Sequence, residues 1–299
     1  MGGKRVAKEG ETATRTPPLD RPGVPVRLWR TVRLAVRSVR GETRFLLALW
    51  RVNLLSALEY RTAFISQVVG MMLNNAAFLV FWALFFERFP SVSGWGMQDM
   101  LQLFGMTATG FGLGVVLFGN ALNLADIIAD NGLDAYLALP RPALLHVLAS
   151  KSRLSGWGDV ATGVLCFALT AHPGAAAWGR YAVAALASMT VFVSFLVVVA
   201  SLTFWIGGAS ALSAQAIHAV LAFATYPLTI FDGTAKLMLM TVIPAAFIGA
   251  VPAEFVRGYS DRSLLQILAA AGVSLALAVV LFHRGLRRYE SGGMAVSAG

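Results

Sequence analysis

Residues 62–86 read TAFISQVVGMMLNNAAFLVFWALFF, 25 consecutive positions without a formal charge between Arg61 and Glu87. Coiled as a helix at about 1.5 Å per residue, the segment reaches roughly 37 Å. That crosses a bilayer hydrocarbon core of about 30 Å. The same arithmetic, carried outward, finds a second window at 100–125 between Asp99 and Asp126, and a third at 160–179 in which His172-Pro173-Gly174 ends the helix early. Residues 181–231 are uncharged throughout. At roughly 76 Å as one helix they exceed a single crossing even when tilted. Two spans, 181–206 and 211–231, broken at Gly207-Gly208-Ala209-Ser210, are therefore expected. A last span covers 264–282.

Composition agrees with this pattern. Of 299 residues, 57% are hydrophobic and 13% charged, against roughly 25% charged in an ordinary soluble domain. The single cysteine, Cys166, excludes an internal disulfide and a thiolate metal cluster.

Residues 237–253 are apolar but shorter, and carry Pro244, Gly249 and Pro252. Unbroken, they barely reach about 26 Å. They read as part of a re-entrant segment, because non-helical backbone at that depth is tolerated where protein surrounds it; the alternative is a seventh, kinked crossing. The expected fold is thus all-α: a polytopic membrane protein with six transmembrane helices, an N-terminal interfacial helix, and a re-entrant segment before the last helix. With both ends on one side, 19 of the 24 Lys and Arg residues fall on the side of the termini. Retention of cations in the cytoplasm makes that the inner side.

The first 26 residues form a proline-bearing polar leader, expected to be disordered. Arginines then recur at 27, 30, 33, 37, 40 and 44, spacings that keep Arg30, Arg33, Arg37 and Arg40 on one helical face. A basic amphipathic helix over 27–59 suits the headgroup layer of an anionic leaflet, making membrane lipid a partner. No aromatic-interleaved motif accompanies the arginines, so no nucleic-acid partner is expected.

Little in the spans suggests bond chemistry. There is no HExxH helix, no GxSxG elbow and no paired carboxylates within a span. His218 and the mid-span pair Asn74 and Asn75 are candidates for a substrate pathway, with hydrogen-bonded packing as the alternative for each. Gly110-x-x-x-Gly114 invites close helix approach, as a packed pathway, a dimer face, or the ordinary glycine content of membrane helices. No chain of acids or histidines indicates a proton-driven pump. The only Gly-Lys pair, Gly3-Lys4, lacks the rest of a P-loop, so an energy source must come from a separate ATPase. Its expected foothold is the loop 126–159, where Asp126, Asp130 and Asp134 lead into Gly132-Leu133-Asp134 and on to Pro140-Arg141-Pro142. Apolar residues among acids on a short helix suit a partner's groove.

Several of these stretches resemble the ABC-2 type permeases, specifically a small bacterial six-helix subfamily. The resembling residues are Leu58-Glu59-Tyr60-Arg61, the segment from Gly132-Leu133-Asp134 to Pro140, Tyr226-Pro227, Ile243-Pro244, and Val251-Pro252-Ala253-Glu254. The resemblance implies an exporter subunit in the bacterial inner membrane with both termini cytoplasmic. Two permease subunits, alike or different, would assemble with two cytosolic ABC ATPase subunits, which alone hold ATP and Mg. It further implies a transmembrane domain over 60–286 and a cytosolic tail over 287–299. Asp130, Gly132, Leu133, Asp134, Leu137, Pro140 and Arg141 would then serve the ATPase contact, and Pro244, Pro252 and Glu254 a re-entrant element over 233–254. An amphiphilic cargo, whether drug, antibiotic or lipid-like, suits the apolar walls. Two other classes stay open: a membrane-embedded lipid-modifying enzyme acting through His218, and a passive channel or secondary carrier.

Overall fold

The structure is a computed structural model describing residues 26–92, 94–171, 173–206 and 209–289, with side chains from Gly41 onward. The leader, the side chains of Arg30, Arg33, Arg37 and Arg40, the Gly207-Gly208 break and the tail beyond Tyr289 lie outside the described residues. The chain divides into two units, residues 1–44 and 45–299. In the first, the described backbone is the amino-terminal part of helix α1 (Val26–Glu59).

The second unit is helical, apart from one isolated bridge between Val92 and Trp95. After the remainder of α1 come α2 (Arg61–Arg88), α3 (Met97–Phe118), α4 (Leu124–Ala129), α5 (Asp134–Leu137), α6 (Ala143–Ala149) and α7 (Gly156–Ala171). Then follow α8 (Ala175–Ser201), α9 (Ala209–Ala224), α10 (Gly233–Thr241), α11 (Ala250–Arg257) and α12 (Asp261–Leu286). Four stretches are long and apolar enough to cross a membrane: α2, residues 97–129, residues 175–204 and α12. The pair α10 and 244–257, bent by 60° at its break, makes up to five if counted as one span. Helices α7 and α9 have 16 residues each, about 24 Å, less than the hydrocarbon core is thick.

Glycine determines how the centre packs. Helix α3 lies between α7 and α8 and presents a different glycine set to each. Gly105 sits against Gly163 and Cys166 of α7, and Gly112 against Gly156 and Asp159, so the two helices run antiparallel. A methyl group on Gly112 would stand 2.6 Å from the Gly156 carbonyl oxygen. Toward α8, Gly110 meets Ser188 and Gly114 meets Phe192, a parallel arrangement. The Gly110-x-x-x-Gly114 stripe is therefore spent inside the chain, which corrects its reading as a dimer face. Helix α8 is the buried centre, with 72% of its most apolar window inside the protein, and it is apolar on every face as a core helix must be. Helices α2 and α12, at 11% and 17%, are peripheral. Their exposed side chains include Ile65, Leu73 and Leu84 on α2, and Leu265 and Val273 on α12, a surface suited to lipid.

The segment between α9 and α12 does not form a continuous helix. Pro244 opens a 3-10 turn over Pro244–Phe247, and Pro252 falls in the first turn of α11, where its missing N–H costs nothing. Side chains from other helices meet a carbonyl within this segment and one at the end of α9. Buried Ser188 donates to the Ile248 oxygen at 2.6 Å, and buried Thr107 to the Ala224 oxygen at 2.9 Å. At its far end Arg257 pairs with Asp99 at 2.7 Å and lies over the Trp95 ring. Glu254 is exposed.

Candidate functional site

The end of the bundle formed by residues 115–155 and the second half of α1 carries most of the candidate residues. Helix α3 stops at Phe118 and passes into a 3-10 turn, Gly119–Asn123. A helix end leaves carbonyls without partners, and here three consecutive ones are met from two directions. The Arg153 N–H donates to Val115 O at 2.9 Å, the Ser152 hydroxyl to Val116 O, and Trp50 Nε1 to Leu117 O at 2.8 Å. Gly119 admits this returning segment, since a methyl there would lie 2.9 Å from the Arg153 nitrogen.

Asn120, fully buried, is the hub of the site. Its amide nitrogen donates to the Val147 carbonyl at 3.0 Å and the Ser150 hydroxyl at 2.8 Å, with the Tyr136 hydroxyl at 3.5 Å. Its oxygen accepts from Asn123 at 3.0 Å, and Asn123 in turn accepts from Arg153. One side chain thus ties the end of α3 to α5, α6 and the residues before α7.

The loop itself is closed by local chemistry. Asn131 adopts a left-handed conformation, φ 55°, which Asn tolerates. The Gly132 N–H then reaches Ile127 O at 2.8 Å, the bond pattern of a Schellman cap on α4. Leu133 is completely buried and fastens the loop, while Gly132 and Asp134 are partly covered. Asp130, Leu137, Leu139, Pro140 and Arg141 face outward, Leu137 and Leu139 with 41% and 46% exposure. Arg141 lies 5.1 Å from the Phe45 ring. His146 stands edge-on to both Tyr136 and Phe45, and burial lowers its pKa below the ordinary imidazole value. Beyond α12, burial and then the adjacent Asp134 carboxylate raise the Tyr289 phenol above its ordinary range.

The three pathway candidates separate. Asn75 is buried, and its amide donates to Asp159 Oδ1 at 2.8 Å and to the Thr162 hydroxyl at 3.4 Å. Neighbouring Asn74 is exposed, its nitrogen 4.0 Å from the Met71 sulfur. His218 is exposed on α9. They make no hydrogen bonds with one another among the described residues. The buried acid is the unforeseen member: α7 begins at Gly156, which places Asp159 in its first turn with 4% exposure and Oδ2 unpartnered. Asn120 was equally unforeseen, although an asparagine directly after glycine inside an apolar window signals a helix break.

Long apolar helices, a backbone broken where side chains satisfy it, and a capped loop presenting apolar residues at one end define a multi-pass membrane protein. No curated protein and no solved structure matched the chain. The model of the ABC-2 family transporter proteins matches residues 72–293, most of the second unit. The chain belongs to that family, and it is a membrane-embedded transport component of an ABC transporter.

Proposed function

We propose that this chain is the permease subunit of an ATP-binding cassette exporter that moves an amphiphilic substrate across the bacterial inner membrane. A separate cytosolic ATPase, holding ATP and Mg, supplies the work. Two permease subunits, identical or paired with a relative, enclose the pathway between them. Six helices cross the membrane, α7 and α9 being the short ones, with both termini inside and 233–254 re-entrant from the outer side.

The observation that carries this reading is the build of the loop 126–159. Leu133 and Asn120 fix it to the bundle while Leu137, Leu139 and Pro140 point away. A short helix that is apolar outward yet rigidly held inward is what a partner's groove can grip. Movement imposed on α5 reaches the end of α3 through Asn120. The permease does no bond chemistry; it converts closure of the ATPases into displacement of its helices.

The test is a double variant, Asp134→Arg with Leu137→Glu, reconstituted with its ATPase subunit. The expected result is normal membrane insertion with ATP hydrolysis no longer coupled to transport. Coupled export at the wild-type rate would refute the assignment of the loop.

A further inference from the structure

Two cavities of about 310 Å³ each lie side by side beneath the start of α7, and their chemistry is divided. The first is the more polar of the two, its lining including Ser56, Tyr60, Ser150 and Lys151 beside Ala57. The second is apolar, lined chiefly by Leu47, Trp50, Leu54, Val116, Leu117 and Trp157, with Arg51 at its edge. Asn53, Ser152 and Leu154 belong to both and form the wall they share. No acid lines either cavity.

Fold geometry explains the division. The second half of α1 is held against the bundle by Trp50 on the Leu117 carbonyl and by Asn53 on the Ala149 carbonyl at 3.1 Å. Asn53 stands between the two spaces, since it lines both. Three donors in or beside the polar cavity are unspent: the Lys151 ammonium and the Ser56 and Tyr60 hydroxyls make no side-chain hydrogen bond among the described residues. Arg51 and Lys151 are exposed and make no ion pair there. The Lys151 ammonium and two hydroxyls line the first cavity and the Arg51 guanidinium the second, with no carboxylate in either lining, a donor set that suits a phosphate group. Tryptophans at a membrane boundary suit the first carbons of an acyl chain.

We propose that these paired cavities bind one anionic phospholipid, its phosphate against Lys151, Ser56 and Tyr60 with Arg51 beside it, and its chain under Trp50 and Trp157. The site draws on the last residues of the loop 126–159 but on none of the outward-facing residues proposed for the ATPase contact, and needs only that the chain sit in a bilayer. Bound there, the lipid bridges α1, α3 and the residues leading into α7.

The experiment uses the full chain in nanodiscs of equal parts phosphatidylglycerol and phosphatidylcholine, released gently and weighed by native mass spectrometry. Retention of phosphatidylglycerol over phosphatidylcholine is expected. The Arg51→Ala, Lys151→Ala pair should lower that preference about thirtyfold, and Arg51→Lys with Lys151→Arg should keep most of it. Equal retention of the two lipids, or a preference untouched by the alanine pair, overturns the proposal. Displacement of the lipid by soluble glycerol phosphate also overturns it, since a headgroup alone would then suffice. No ATPase is present in this measurement, so its failure leaves the exporter reading standing, and failure of that reading leaves this site standing.

Discussion

Asn74 and Asn75 are adjacent in sequence and opposite in consequence. Asn75 is the donor that keeps Asp159 Oδ1 paired inside a three-helix junction, whereas Asn74 faces outward from α2. Replacing Asn75 with leucine strands a buried acceptor, which costs about 1–3 kcal/mol or more. Removing the acceptor as well, in Asn75→Leu with Asp159→Leu, should recover part of that loss, because removing both partners is cheaper than orphaning one. Asn74→Leu should change the melting temperature in detergent little. Equal melting temperatures for Asn75→Leu and wild type would show that the junction contributes nothing. His146 offers a second residue-level check. A histidine held neutral by its surroundings takes up its proton more readily when unfolded, so the stability it contributes is fully present above the ordinary value near 6.5 and is lost as pH falls from there through the lower value of the folded ring. In NMR titration the His146 ring should protonate below that value; protonation at or above it would mean the Tyr136 and Phe45 contacts do not shield the ring.

At the scale of elements, the glycines of α3 and α7 set the distance between helices. A side chain at Gly112 or Gly163 meets backbone oxygen, which does not yield, so Gly112→Ala and Gly163→Ala should each destabilise the fold by about 1–3 kcal/mol. Gly70 on α2 has open space around it, and Gly70→Ala should be neutral or slightly stabilising, since alanine is the better helix former. Thermal unfolding of the three variants in one detergent decides the matter, and equal melting temperatures would contradict the seam. Charge-free windows reveal such elements well when charges stand at their ends, as Arg61 and Glu87 do for α2. They mislead when a charge lies within a helix. Asp159 reads as the edge of the loop, yet Gly156 and Gly158 let α7 start earlier by admitting α3 and α2 closely, and Asn75 supplies the donor that makes the buried carboxylate tolerable. Asn120 stayed hidden for the opposite reason. It lies inside an apolar window, and nothing in the sequence tells that Val147 and Ser150 fold back onto it. The bend at 243–249 was legible in Pro244 and Gly249, but not the Ser188 hydroxyl that meets the Ile248 carbonyl there from an element far away in the chain.

For the whole molecule, the pattern is a membrane-embedded component of a transporter. The family match over residues 72–293 fixes the class, and Leu137 and Leu139 mark the surface proposed for the ATPase. The opposite end carries Tyr259, exposed and hydrogen-bonded to Asp261 at 2.6 Å, in the stretch between α11 and α12. A photo-crosslinking amino acid placed in living cells at Leu137 or at Tyr259 therefore tests partner and orientation together. The expected result is a covalent adduct with a nucleotide-binding ATPase from position 137 and none from position 259. An ATPase adduct from position 259, or from neither position, would contradict the claim that the loop after α3 is where the ATPase takes hold.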